Sequence, residues 1–246
     1  MELGTEARQK LQVVLLAGIV IAGGRAVYIV YERREALKED AKPKVETALK
    51  ADYYVTPKKL HPYDLKSAQL LTQQPVWVRL GGQVTYYPYD LRRHKTDFSR
   101  GAGTLGPLEK LKITDVVTDV SPKSPGTKQI LAIFEFEGNS HGESNVFAAP
   151  IGAEKEDDFK IYSDEIFFIE DPRGLYKHWP SEVWKAIDEH RVQPGMSELQ
   201  ASFAAGMGIP EGSGDYGSRT LRYANDGNAV TVTFENDKAV VVKPGT

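Results

Sequence analysis

The chain of 246 residues contains no cysteine. Disulfide bonds, thiol nucleophiles and thiolate metal sites are therefore excluded, while the redox compartment stays undetermined. The sequence also lacks a large excess of charge of one sign, because its formal net charge is only −3. A domain that binds nucleic acid usually presents a strongly basic surface, so nucleic acid is not expected as a partner.

Motifs for catalysis and for cofactors are missing as well. The histidines show neither the H-E-x-x-H nor the H-x-x-E-H spacing that holds a metal on one helix face, and no G-x-S-x-G nucleophile motif occurs. A haem-attachment motif would need cysteine. We therefore predict no enzymatic activity, no cofactor and no metal. The five histidines are His61, His94, His141, His178 and His190.

One stretch, GAGTLG at residues 101–106, matches the G-x-G-x-x-G pattern of dinucleotide sites. Such a site needs a strand before the glycines and a helix after them, so that the helix N-terminus meets the pyrophosphate. Here the preceding residues 90–97 are polar, and the following residues 107–113 pass quickly into a strand pattern. The pattern therefore predicts a flexible loop.

The chain does contain one long apolar segment, residues 11–31, in which Gln12 and Arg25 are the strongly polar interruptions. At a rise of about 1.5 Å per residue, a helix over this segment would reach about 30 Å, the thickness of a bilayer's hydrocarbon core. The segment therefore predicts a single transmembrane helix. A cleaved signal peptide and a buried helix of a soluble fold are the alternatives.

Small residues in this segment follow a helical spacing. Gly18, Ala22 and Ala26 recur every four residues and would form one smooth stripe, with Arg25 beside it. Such a stripe allows two helices to approach closely in lipid, and a polar group next to it can bond across the contact. We expect these four residues to contact another membrane protein. The alternative is that glycine and alanine are simply common in membrane helices.

The charges that flank the segment bear on its orientation. Arg8 and Lys10 precede it, whereas residues 33–44 contain five basic residues. The positive-inside rule therefore favours a cytoplasmic position for the rest of the chain. We expect a single-pass protein of the bacterial inner membrane, with the periplasmic side kept as the alternative.

Composition predicts a short tail at residues 1–10 before the apolar segment and three further regions after it. Residues 32–62 form a charged linker or helical extension, residues 63–171 a mostly β domain, and residues 172–246 a second domain. Apolar alternation and turn signals in the β domain indicate a small antiparallel sandwich or barrel. The expected strands are residues 75–80, 83–89, 111–120, 129–137, 145–151 and 159–170.

Three tyrosines stand close together on the second of these strands. Tyr86, Tyr87 and Tyr89 lie within four consecutive positions. They form either an exposed contact patch or part of the core, because tyrosine suits both environments. We keep them as candidate contact residues.

After Pro172 the apolar period changes from two to about 3.6 residues. Residues 180–190 predict one helix, and Ser197 with Gln200 forms a capping box that opens a second. A glycine-rich loop at residues 211–217 then leads into three predicted strands. The region is therefore expected to be two helices on a three-stranded meander.

This C-terminal region resembles the small-protein-A/BamE-like envelope domains over residues 180–243. The resemblance implies an αα-βββ fold and a non-enzymatic binding module, of a kind that often helps membrane-protein complexes to assemble. Because no lipobox cysteine is present, the outer-membrane role is not carried over. The resemblance rests on residues 192–198 (VQPGMSE), 208–210 (GIP), 219–223 (RTLRY), 230–234 (VTVTF) and 238–240 (KAV).

Together these observations predict a membrane-anchored, non-enzymatic accessory or scaffold subunit that binds and stabilises a larger bacterial membrane complex. Its expected partners are integral membrane proteins and the lipid bilayer, and a respiratory or photosynthetic assembly is one candidate host. The alternative is an envelope ligand-binding or sensor protein, with a small-molecule or peptide site in the β domain.

Overall fold

The computed structural model describes residues 25, 28–29, 31–34, 50–79, 81–120, 126–137 and 146–245. The chain divides into two units, Met1–Leu49 and Lys50–Thr246. In the first unit the described residues are helical and exposed. Arg25 is one of them, whereas Gly18, Ala22 and Ala26 of the predicted stripe lie outside the described residues.

The predicted transmembrane helix needs correction. Among the residues that the structure describes, no helix is long and apolar enough to cross a membrane. A span needs about 20 consecutive apolar residues, and the described helical positions here include the charged Arg25, Glu32, Arg33 and Arg34. The predictions of a single-pass membrane protein and of an inner-membrane localisation are therefore wrong.

Three long antiparallel strands form the centre of the larger sheet in the second unit. They are β5 (Lys110–Val120), β6 (Lys128–Phe136) and β7 (Phe147–Lys155), and β6 lies between the other two. The residues from Ile130 to Phe134 on β6 are all buried. A central strand that is covered on both faces reads as a continuous apolar run, which explains this part of the sequence.

Six shorter strands complete this nine-stranded sheet, whose order is β3-β2-β7-β6-β5-β1-β9, with β4 on β2 and β8 on β7. The predicted sandwich or barrel is therefore corrected to one sheet. A helical segment covers its main apolar face: Ala68 and Leu71 pack there with Ile130 and Phe134. The shorter strands are β1 (Val76–Val78), β2 (Thr85–Asp90), β3 (Lys95–Thr96), β4 (Gly103–Thr104), β8 (Asp158–Ile161) and β9 (Phe167–Phe168).

A second, four-stranded antiparallel sheet lies at the C-terminal end of the chain. Its strands follow each other in sequence order, β10 (Ile209–Asp215), β11 (Ser218–Tyr223), β12 (Val230–Glu235) and β13 (Lys238–Pro244). The region predicted as a glycine-rich loop is thus the edge strand β10. It pairs with β11 at both of its ends, and its register shifts between Glu211 and Asp215.

Two eight-residue helices pack with the inner face of this sheet in one hydrophobic core. They are α4 (Ser181–Asp188) and α5 (Glu198–Ala205), and their buried residues include Trp184 and Phe203. Phe168 of β9 belongs to the same cluster, which therefore continues into the larger sheet. The single-turn α-helices are α1 (Leu65–Ala68), α2 (Ser163–Ile166) and α3 (Pro172–Leu175), and the 3-10 helices are Ala51–Tyr54, Gln69–Gln73 and Asn225–Gly227.

Local chemistry fixes both ends of α5. The Ser197 side chain accepts a hydrogen bond from the backbone N–H of Gln200, and the Gln200 side chain accepts one from the N–H of Ser197. This capping box satisfies two donors that a helix start leaves open. The helix ends at Gly206, whose φ of 84° lies in the left-handed region that favours glycine.

Candidate functional site

A small cleft, which we call the tyrosine cleft, lies between the start of the second unit and one end of the four-stranded sheet. Its volume is about 220 Å³. Four elements meet there: the 3-10 helix Ala51–Tyr54, helix α5, the β10–β11 turn and the β12–β13 turn. The lining residues are Lys50, Asp52, Tyr53, Leu199, Tyr216 and Asp237.

The ion pair between Glu198 and Arg219 holds together two of the elements that form the cleft. Glu198, the first residue of α5, is 5% exposed, and its carboxylate accepts bonds from Arg219 Nε at 3.2 Å and from Arg219 Nη2. It also accepts the backbone N–H of Gly217 at 2.9 Å. The hydrogen bond to Glu198 raises the pKa of Arg219, so the guanidinium stays charged. Helix α5 is thereby fixed to strand β11.

The two hairpin turns are locked to each other through Asp237. Its Oδ1 accepts the N–H of Glu198 at 3.0 Å, and its Oδ2 accepts Lys50 Nζ at 2.6 Å. Its own N–H donates to the carbonyl of Gly217 at 2.7 Å. Asn236 and Asp237 both have positive φ, as a two-residue type I′ turn requires. One carboxylate thus joins the turn, the helix start and Lys50.

Asp52 attaches the 3-10 helix to an aromatic cluster. Its Oδ1 accepts Trp179 Nε1 at 2.7 Å and contacts His178 Nε2 at 2.5 Å. Trp179 is only 6% exposed and stacks on Tyr176, with 4.4 Å between the ring centroids. This anchor holds the backbone next to Tyr53, whose side chain is 66% exposed.

Tyr216 also lines the cleft. Its side chain is 57% exposed, and the guanidinium of Arg219 lies 5.7 Å from its ring centroid. Partial burial raises the pKa of Tyr216, and the carboxylates of Asp237 and Glu198 raise it further. The hydroxyl therefore stays protonated at neutral pH and can donate a hydrogen bond.

The cleft combines aromatic walls with an excess of carboxylates. Two carboxylates, Asp52 and Asp237, line it with one cation, Lys50, and the Glu198–Arg219 ion pair lies outside the lining. Aromatic rings attract a cation over their faces, and carboxylates pair with it. In the described ranges no group of three histidine, aspartate or glutamate side chains could hold a metal ion. The arrangement is suited to recognising a side chain.

The tyrosines predicted as contact residues lie elsewhere, on β2. Tyr86 is buried in the main core, where its ring packs edge-on against Phe134 at 5.8 Å. Tyr87 is half-buried and contacts Phe98 at 5.2 Å, and Tyr89 is half-buried against a minor cluster on the other face of the sheet. The structure therefore does not bring these three residues together into one surface.

Sequence reasoning missed Tyr53 and Tyr216. Each stands next to an aspartate in a turn-rich stretch, as Asp52-Tyr53 and Asp215-Tyr216. An aromatic residue outside any apolar pattern is a signal of surface contact that could have marked them. Their distance in sequence hides the fact that they face the same cleft.

Fold and cleft define a β-rich protein with two antiparallel sheets and a small recognition site on its surface. Comparisons of the chain with protein-family models, with curated proteins and with solved structures found no match. The resemblance of residues 180–243 to the small-protein-A/BamE-like domains stays a prediction.

Proposed function

We propose that this chain is a non-enzymatic, protein-binding accessory subunit, which recognises a partner protein through the tyrosine cleft. The observation that carries the proposal is the pair of exposed tyrosines, Tyr53 and Tyr216, held above a buried ion pair. Single exposed aromatic residues are common and need no explanation. Here hydrogen bonds hold the neighbours Asp52 and Gly217 in place, and a tyrosine side chain has only two rotatable bonds to order, so binding costs little conformational entropy.

The size of the cleft indicates what it binds. Small-molecule and cofactor sites usually measure about 300–1,000 Å³, and the tyrosine cleft measures about 220 Å³. It therefore fits one large side chain of a partner better than a whole cofactor. The surrounding surface then supplies the rest of the contact.

The charge of the cleft selects a basic side chain. Two carboxylates and one cation line it, and Asp52 uses only its Oδ1 in the bonds to Trp179 and His178. An arginine or lysine side chain of the partner would meet the Tyr53 and Tyr216 rings and the Asp52 carboxylate, which line the same cleft. Such contacts combine cation–π attraction with a charge-assisted hydrogen bond.

A random peptide display library, selected on the purified chain, tests this proposal. We expect the enriched peptides to share an arginine or lysine beside an apolar residue. Tyr216→Ala should weaken their binding by about thirtyfold, because aromatic residues at the centre of an interface are worth about 2 kcal/mol or more. Tyr162→Ala is the matched control, since Tyr162 is 52% exposed but lies outside the cleft.

The possible outcomes distinguish a correct proposal from a wrong one. Binding that Tyr216→Ala and Tyr53→Ala both reduce, and that Tyr162→Ala leaves unchanged, supports the proposal. If selection enriches no basic peptides, or if the enriched peptides bind the Tyr216→Ala variant equally well, the proposal is wrong. A thermal melt of each variant excludes loss of folding as the cause.

A further inference from the structure

A larger cavity, which we call the arginine cavity, lies at one edge of the nine-stranded sheet, away from the tyrosine cleft. Its volume is about 590 Å³, inside the range that small-molecule sites occupy. It is formed by the end of β2, the β2–β3 turn, the loop before β4 and the start of β7. Two arginines, Arg92 and Arg100, line it together with the apolar residues Pro88 and Leu91.

Neither arginine forms a salt bridge with a described residue, although Arg92 lies close enough to the Asp90 carboxylate to interact with it electrostatically. Asp90 lines the same cavity, but its Oδ1 accepts the backbone N–H groups of Arg92 at 2.8 Å and Arg93 at 3.1 Å. Its Oδ2 lies 3.7 Å from Arg93 Nε. Asp97 likewise uses its carboxylate to bind Ser99. The guanidinium groups of Arg92 and Arg100 therefore stay available.

The backbone that carries both arginines is held against β2. The N–H of Asp97 donates to the carbonyl of Pro88 at 3.0 Å, and the N–H of Ala102 donates to that of Tyr86 at 2.9 Å. Arg92 lies in a turn that Asp90 closes by its two backbone bonds. Binding an anion there would need ordering of two side chains but no rebuilding of the loops, which lowers its entropic cost.

We propose that the arginine cavity binds an organic phosphate, with the phosphate between Arg92 and Arg100 and the organic part against Pro88 and Leu91. Two guanidinium groups carry two positive charges, and a phosphate monoester carries about −1.5 to −2 at pH 7. A single carboxylate would leave one arginine uncompensated. The planar guanidinium fork also matches the oxygen atoms of a phosphate. This proposal is independent of the protein-binding function of the tyrosine cleft.

Calorimetric titration of the full chain with phenyl phosphate tests the proposal, with inorganic phosphate as the second probe. We expect saturable binding at one site, tighter for phenyl phosphate because its ring contacts the apolar wall. Arg92→Gln and Arg100→Gln should each weaken binding by about tenfold, and the double variant should abolish it. Arg93→Gln is the matched control, since this neighbouring arginine is exposed and does not line the cavity.

Four results would overturn the proposal. The first is a failure of phenyl phosphate to saturate the chain at millimolar concentration. The second is a loss of binding in Arg93→Gln as large as that in Arg92→Gln, which would indicate a diffuse basic patch. Equal affinity for the two probes would contradict the role of the apolar wall. A phosphotyrosine peptide that binds far more tightly than phenyl phosphate would assign the cavity to a phosphoprotein instead. Tyr216→Ala should leave phosphate binding unchanged, which separates the two proposals.

Discussion

Glu198 and Arg219 form an ion pair that is shielded from solvent, with side-chain exposures of 7% and 27%. The pair connects the first residue of helix α5 to strand β11, and the Glu198 carboxylate also holds the backbone of Gly217. This connection holds in place the elements that form the tyrosine cleft. The geometry of the cleft therefore depends on a few polar contacts whose removal can be measured.

We expect Glu198→Ala to lower the free energy of unfolding by about 1.5–3 kcal/mol, because it removes the charge-assisted hydrogen bonds that the carboxylate accepts from Arg219 and from the Gly217 N–H. Asp188→Ala is the control. It breaks the ion pair between Asp188 and Arg173, in which both side chains are more than half exposed. Exposed ion pairs of this kind contribute about 0–1 kcal/mol to the free energy of unfolding. Urea denaturation of both variants measures the difference, and equal losses would contradict the assigned role of Glu198.

Gly206→Ala is expected to destabilise the protein by about 1–3 kcal/mol or more. Gly206 has a φ of 84°, and a Cβ atom there would lie 2.6 Å from the carbonyl oxygen of Gly81. Gly174→Ala is the matched control, because no atom of the residues that the structure describes lies within 4 Å of its added Cβ and its φ is not in the left-handed region. A thermal melt should show a lower Tm for the first variant and no loss for the second. A Gly206→Ala variant as stable as the wild type would rule out this account of the helix end.

Asp119 gives a prediction about pH. Burial raises the pKa of this carboxyl, but hydrogen bonds from the Thr96 N–H, Lys95 and the Val120 N–H outweigh burial and hold the pKa below its ordinary value. The ionised carboxylate therefore stabilises the fold at every pH above about 3.9, the ordinary value for aspartate. This contribution is lost as the pH falls through the lower pKa of the folded state.

We therefore expect Asp119→Asn to be less stable than the wild type by about 1–3 kcal/mol at pH 7. The difference should stay constant down to about pH 5 and narrow as the pH falls below about 4. Urea midpoints measured at a series of pH values provide the check. A difference that grows on acidification would have the wrong sign.

Asp52→Ala should loosen the 3-10 helix that carries Tyr53. The substitution leaves Trp179 Nε1 without its acceptor, which costs about 1–3 kcal/mol in a buried position. Amide hydrogen exchange in residues 51–54 is expected to accelerate, and Trp179 fluorescence should shift. Tyr54→Ala serves as the control, because it removes a side chain that is 71% exposed from the same helix. Unchanged exchange in the Asp52→Ala variant would mean that Asp52 does not anchor the cleft.

Signals that act within a few residues were readable from the sequence. Ser197 and Gln200 mark the start of α5, and Asn236-Asp237 marks the turn between β12 and β13. Pairing between distant strands was not readable. Gly81-Gly82 stands between two predicted strands, yet β1 pairs with β5 and β9, with Val76 opposite Leu111. Burial of the whole apolar surface decides such pairing.

The candidate sites depended on tertiary structure in the same way. Tyr86, Tyr87 and Tyr89 are adjacent in sequence, but the sheet buries Tyr86 in the main core and turns Tyr89 towards the other face. Tyr53 and Tyr216 are far apart in sequence and face one cleft.

The sequence by itself determined the exclusion of thiol chemistry, the capping of α5 and the β-rich character of the second unit, because each follows from composition or from bonds between near neighbours. Only the tertiary structure decided the order of the strands, the burial of the Glu198–Arg219 pair and the two sites at the cleft and the cavity. Those features arise where distant segments meet. They are stabilised by burial and by charge pairing between residues that are far apart in sequence. A pattern of neighbouring residues does not show which of these residues will meet.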